Sequence, residues 1–130
     1  MTVRDILERM AEILEPEGSW AQKADAYRRD GIRCTAHDLN AASWCIRGAM
    51  MKAISDTRHQ GLLAPDATSV LKVLREVLAA EFNDIMGRRS IFGDLPLSAD
   101  PIWWNDMNGR THEDVRLLLK KAIYRAEVEE

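Results

Sequence analysis

Residues 2–18 read TVRDILERMAEILEPEG. Val3, Ile6, Leu7, Met10, Ile13 and Leu14 recur at i, i+3, i+4 and i+7, the spacing that lines apolar side chains along one face of a helix. Thr2 stands at the capping position, where its side chain can take an unpaired amide. Pro16, which has no amide hydrogen, and Gly18, which tolerates a chain reversal, end the run. A one-sided helix of this kind needs a partner surface, and three more segments offer one.

A second helix is expected from about Ala41 to Asp56, entered through Asp38 or Asn40 as cap, with Ala42, Cys45, Ile46, Ala49, Met50, Ala53 and Ile54 on its apolar face. Trp44 would lie one turn before Gly48, whose missing side chain leaves room for an indole or another helix. A third helix follows Pro65-Asp66, carries Val70, Leu71, Leu74, Val77, Leu78, Phe82 and Ile85, and stops at Gly87. The last begins at Thr111, where Asp114 three positions on completes a capping-box pattern, and presents Val115, Leu118, Leu119, Ala122, Ile123 and Ala126. Between the first two helices, Asp30-Gly31 occupies the place of a two-residue hairpin turn. That turn would set Tyr27 opposite Cys34 and Arg28 opposite Arg33, an unfavourable like-charge pair. From Arg88 to Asn108 no period holds, and a stretch this long is packed or functional rather than a passive connection. The expected fold is mainly α: four principal helices around one core, a short β-hairpin between the first two, and a long ordered loop before the last, in one domain over 1–130.

Composition agrees with that reading. A chain of 130 residues can remove roughly two-thirds of its unfolded surface from water without metal or disulfide staples. Its formal net charge, 18 − 21 = −3, argues against general nucleic-acid binding, which needs a basic surplus. Two cysteines, Cys34 and Cys45, are too few for a secreted disulfide scaffold and suit a reducing compartment. Arg4, Asp5, Glu8, Arg9 and Glu12 interrupt any apolar leader, and no stretch approaches the roughly 20 apolar residues of a membrane span. A cytoplasmic protein with no membrane partner is expected.

Few residues carry reactive chemistry. Cys34, His37, Asp38 and Cys45 are zinc-type donors, but they supply three ligands at best, so no metal and no other cofactor is expected. Gly109-Arg110-Thr111 opens the last helix, whose first amides could hold an anion with Arg88 and Arg89 nearby, although no phosphate-loop spacing accompanies them. Asn105 and Asp106 are turn formers, with Asp106 and His112 as the hydrolytic alternative. No nucleophile or acid partner stands beside them, and no catalytic residue is assigned. Trp20, Trp103 and Trp104 lie outside the periodic helices, where aromatic side chains line pockets or anchor interfaces.

The patterns Trp44-Cys45-x-x-Gly48-Ala49 and Trp104-Asn105-Asp106-x-x-Gly109-Arg110-Thr111-x-x-x-Val115 resemble a family of small uncharacterised bacterial and phage proteins. The likeness takes in Glu15, Pro16, Gly18 and Trp20 and covers most of the chain. It implies a shared fold and supplies no catalytic residue. The chain departs from the family's pattern in its longer stretch from Arg88 to Pro101 and in Met50, where leucine is usual.

The expected function is that of a non-enzymatic interaction protein, regulatory or inhibitory, with an unidentified protein partner. Its candidate binding residues are Trp20, Trp44, Trp103, Trp104, Asn105, Asp106, Arg110, Arg88 and Arg89. The alternative is an anion or nucleotide site at the start of the last helix, or a hydrolytic site using Asp106 and His112. A homo-oligomer buried through the wide face of the third helix is a further expectation.

Overall fold

The computed structural model describes residues 1–86 and 100–129. Helix α1, Val3–Ile13, begins with the expected cap: the Thr2 hydroxyl accepts from the Asp5 amide while the Asp5 carboxylate accepts from the Thr2 amide. Ile6, Leu7, Met10 and Leu14 are fully buried. Helix α5, His112–Glu129, opens on the same device, with Thr111 and Asp114 bonded reciprocally. Val115, Leu118, Leu119, Ala122 and Ala126 are buried as expected, and Ile123 packs partly against them.

Helix α2, Ile46–His59, packs on α1, and helix α3, Ala67–Met86, on α5, while α1 also lies along α5. These four helices enclose one core. Val70, Val73, Leu74, Val77 and Leu78 of α3 are buried within it. The apolar face expected to meet a second copy is therefore covered, over these residues, by the chain itself. The side chains of Phe82 and Ile85, and Gly87, lie outside the described residues, as do Arg88, Arg89 and Pro96.

Two expectations are corrected. Residues Ala41–Trp44 form strand β3, and α2 begins five residues later than its apolar pattern suggested, capped by Cys45 rather than by Asp38 or Asn40. Strand β1, Ala26–Arg28, pairs antiparallel with β2, Arg33–Cys34, on one side and with β3 on the other, in the order β2-β1-β3. The expected hairpin is thus present, as two strands of a small three-stranded sheet. Its register also differs by one residue: Ala26 faces Cys34 and Tyr27 faces Arg33. The Arg28 amide donates to the Ile32 carbonyl, so Arg29, Asp30 and Gly31 form a three-residue loop with Gly31 at φ +85°. That loop is the type I turn with a left-handed glycine, and it removes Arg28 from Arg33. Arg28 instead pairs with Asp38 at 2.8 Å.

The aperiodic stretch also contains a short helix. Helix α4, Pro101–Asn105, starts with proline in its first turn and with the Asp100 carboxylate accepting from the amides of Ile102 and Trp103.

Candidate functional site

Strand β3 runs into α2 at Cys45, and this junction explains why Gly48 is glycine. A β-carbon there would stand 1.8 Å from the Asp25 carbonyl oxygen, so β1's approach crosses α2 at backbone contact. What Gly48 admits is a carbonyl group rather than an indole or a helix. The Cys45 thiol accepts from the Gly48 amide at 3.3 Å, and burial pushes its pKa up. Cys34 is shifted the same way, also by desolvation. Among the described residues no group of three or more His, Cys, Asp or Glu side chains is placed to hold a metal ion.

The Trp104–Thr111 segment meets the 20–27 segment in one polar knot. Asn105 is 1% exposed and uses its whole amide. Its Oδ1 accepts from the Trp20 indole at 2.7 Å and from the Ile46 amide at 3.2 Å. Its Nδ2 donates to the Ala21 carbonyl at 3.1 Å and to Asp106 Oδ1 at 3.0 Å. One side chain therefore joins α4, the approach to β1 and the first turn of α2. A buried amide satisfied at every donor and acceptor specifies this arrangement, because any displacement leaves polar groups unpaired away from water.

The neighbours extend the knot. Asp106 Oδ1 accepts from the Lys23 amide at 2.7 Å, which supports Lys23 in a left-handed conformation at φ +72°. Gln22 donates to the carbonyls of Asn105 and Met107, and Tyr27 donates to the Gln22 carbonyl. Arg110 donates to the Trp104 carbonyl at 3.1 Å, and its guanidinium lies 3.9 Å from the Trp104 ring centroid. Asp114 stands 3.9 Å from the same guanidinium. His112 stacks on Trp20 with centroids 6.2 Å apart and bonds through Nε2 to the Leu14 carbonyl. Asp106 and His112 thus face different partners.

Of the residues singled out from sequence, Trp20, Trp104, Asn105, Asp106 and Arg110 converge here. Trp44 is nearby through a parallel bridge to Trp20, although its ring turns the other way to donate to the Ala36 carbonyl. Trp104 is 7% exposed and belongs to the core, whereas Trp103 is 45% exposed on the opposite side of α4. Gln22, Lys23 and Tyr27 were not singled out. The partners of Gln22 and Lys23 lie some eighty residues away in the chain, and nothing local signals that contact, while Tyr27 joins the knot through the Gln22 carbonyl five residues before it.

The fold and this knot together define a small helical domain whose sheet is latched to the bundle by a buried asparagine. The chain belongs to DUF6197, a family of unknown function, whose family model matches residues 1–125. No curated protein and no solved structure matches the chain significantly. No helix among the described residues is long and apolar enough to cross a membrane.

Proposed function

We propose that the chain is a non-enzymatic interaction domain, regulatory or inhibitory in character, working in the cytoplasm on a protein partner. The observation that carries this reading is the engagement of the polar groups of the Trp104–Thr111 segment. Asn105, Asp106 and Arg110 are held by backbone groups and by neighbouring side chains, a pattern that favours a scaffolding role over catalysis. No acid, base and nucleophile converge among the described residues, which is what a hydrolytic site would require. The same accounting weighs against an anion at the start of α5. There the Thr111 amide already donates to Asp114 and the Arg110 guanidinium already faces Trp104 and Asp114.

Further support comes from Trp103 and Ile102, two large apolar side chains exposed at 45% and 38% on the outer side of the rigidly held α4. A preorganised exposed indole loses little conformational freedom on binding, the property that makes tryptophan common among interface anchors. The resemblance to bacterial and phage proteins suits a regulator carried by a mobile element.

The test compares the wild type with Trp103→Ala and Trp104→Ala, each immobilised and presented with a cell extract. Trp103→Ala is expected to keep the wild-type melting temperature and to lose a protein that the wild type retains stoichiometrically. Trp104→Ala is expected to lose stability first, as a core residue does. Identical retention by wild type and Trp103→Ala would overturn the assignment of this surface. Saturable binding of a phosphate compound, abolished by Arg110→Ala, would favour the anion site instead.

A further inference from the structure

Trp44, flagged from sequence and placed outside the knot, forms a wall of a separate cavity of about 470 Å³ between the 37–41 loop and the outer face of α2. We propose that this cavity binds a small planar carboxylate, with the ligand's ring against Trp44 and its carboxylate on Lys52. This site is independent of the interaction surface around Trp103.

The chemistry follows from which lining groups are already paired. Both carboxylates are engaged. Asp38 accepts from Arg28 and from the Asn40 amide, and Asp56 faces Lys52 at 3.3 Å and Arg9 at 3.8 Å. The groups left with unused capacity are of the other kind. Among the described residues Lys52 pairs with Asp56 and lies over the Trp44 ring, and its ammonium carries three N–H donors. His37 is exposed at the edge of the cavity and has no hydrogen-bond partner among the described residues.

His59 is set in one orientation. Its Nδ1 lies 2.8 Å from the Ser55 carbonyl, which can only accept, so Nδ1 carries the proton and Nε2 is left over. A cavity whose acids are neutralised while an ammonium and two imidazoles keep free capacity favours an anion over a cation.

Trp44 and Lys52 give the ligand its shape. Lys52 Nζ lies over the Trp44 ring, 5.9 Å from its centroid, so ammonium and indole face the same space and a carboxylate drawn to the ammonium brings its attached ring against the indole. Ala41 and the fully exposed Leu39 complete an apolar margin. When the ligand takes Lys52, Asp56 keeps Arg9, so no carboxylate is left without a cation. The volume falls within the roughly 300–1,000 Å³ typical of small-molecule pockets.

The experiment is a titration of the isotope-labelled full chain, followed by amide and imidazole resonances, with benzoate, benzamide and inorganic phosphate as probes. Benzoate is expected to shift His37, Trp44, Lys52 and His59 saturably. Benzamide, of the same shape without the charge, and phosphate, charged without the ring, are each expected to bind at least about tenfold more weakly. Lys52→Met and, independently, the exposed His37→Gln are expected to weaken benzoate while leaving the melting temperature unchanged. The proposal is overturned if benzoate shifts none of these residues, if benzamide or phosphate equals it, or if both variants bind as the wild type does.

Discussion

Asn105→Ala would leave the Trp20 indole and the Ile46 amide without an acceptor and the Ala21 carbonyl without its donor. Each buried orphan costs about 1–3 kcal/mol, so a loss of at least about 3 kcal/mol is expected in urea unfolding. Asn105→Asp keeps the acceptor but sets a second carboxylate against Asp106 and should rescue little of that loss. A pH effect arises at the surface. Hydrogen bonds from the Thr2 amide and hydroxyl hold the Asp5 carboxyl below its usual pKa, and Arg28, with the Asn40 amide, does the same for Asp38. A depressed folded-state pKa favours folding above the unfolded value, near ~4, and that contribution disappears as pH falls through the folded value. The melting temperatures of wild type and Asp5→Asn should therefore differ at neutral pH and converge in acid. A difference that persists in acid strong enough to protonate Asp5 in the folded state as well would remove Asp5 from the effect. Thr2 and Asp5 were legible in the sequence because a cap is a contact three residues long. Asn105 was legible only as a turn former, since its partners come from three separated segments.

Helix α2 and the strand before it show where local pattern misleads. Ala42 continues the apolar stripe of Cys45, Ile46 and Ala49 in register, and alanine, at 41 and 42, has the highest helix propensity, so the pattern extends the helix through residues 41–44. Pairing with β1 overrides that preference by giving these residues a ladder and Trp44 a second one, to Ser19 and Ala21. Gly48 lies at the crossing. Gly48→Ala would gain up to about 1 kcal/mol of helix propensity but push a β-carbon into the Asp25 carbonyl, and both contacting groups are backbone. A net loss above about 3 kcal/mol, or failure to fold, is expected in the same unfolding measurement. Near wild-type stability would mean that β1 can stand away from α2. By contrast α1, α3 and α5 were readable at once, because each buries one face and its period of 3.6 is a direct consequence of that burial.

Across the whole molecule, the two cysteines report on opening. Cys45 is 6% exposed, caps α2 and has its thiol pKa raised by burial, so a thiolate forms there only when the sheet–helix junction parts. Labelling with an aromatic disulfide reagent should modify the half-buried Cys34 first. Cys45 should follow at a rate that rises with denaturant as the junction unfolds. Equal rates in the absence of denaturant would show that the junction opens freely.

The sequence by itself determined the mainly α class, three helices and the caps of two of them, most of the core, and the family. Each of these rests on contacts within a few residues or on a periodicity that burial imposes. Only the tertiary structure decided that β3 exists, that the hairpin pairs one residue out of the two-residue register, and that Trp104 is core while Trp103 is surface. It also decided that the polar residues of the Trp104–Thr111 segment latch the sheet to the bundle. Apart from the hairpin register, which a three-residue loop sets, those outcomes depend on groups 13 to 85 residues apart meeting in the fold, where an unpaired donor or a misplaced β-carbon outweighs any local preference.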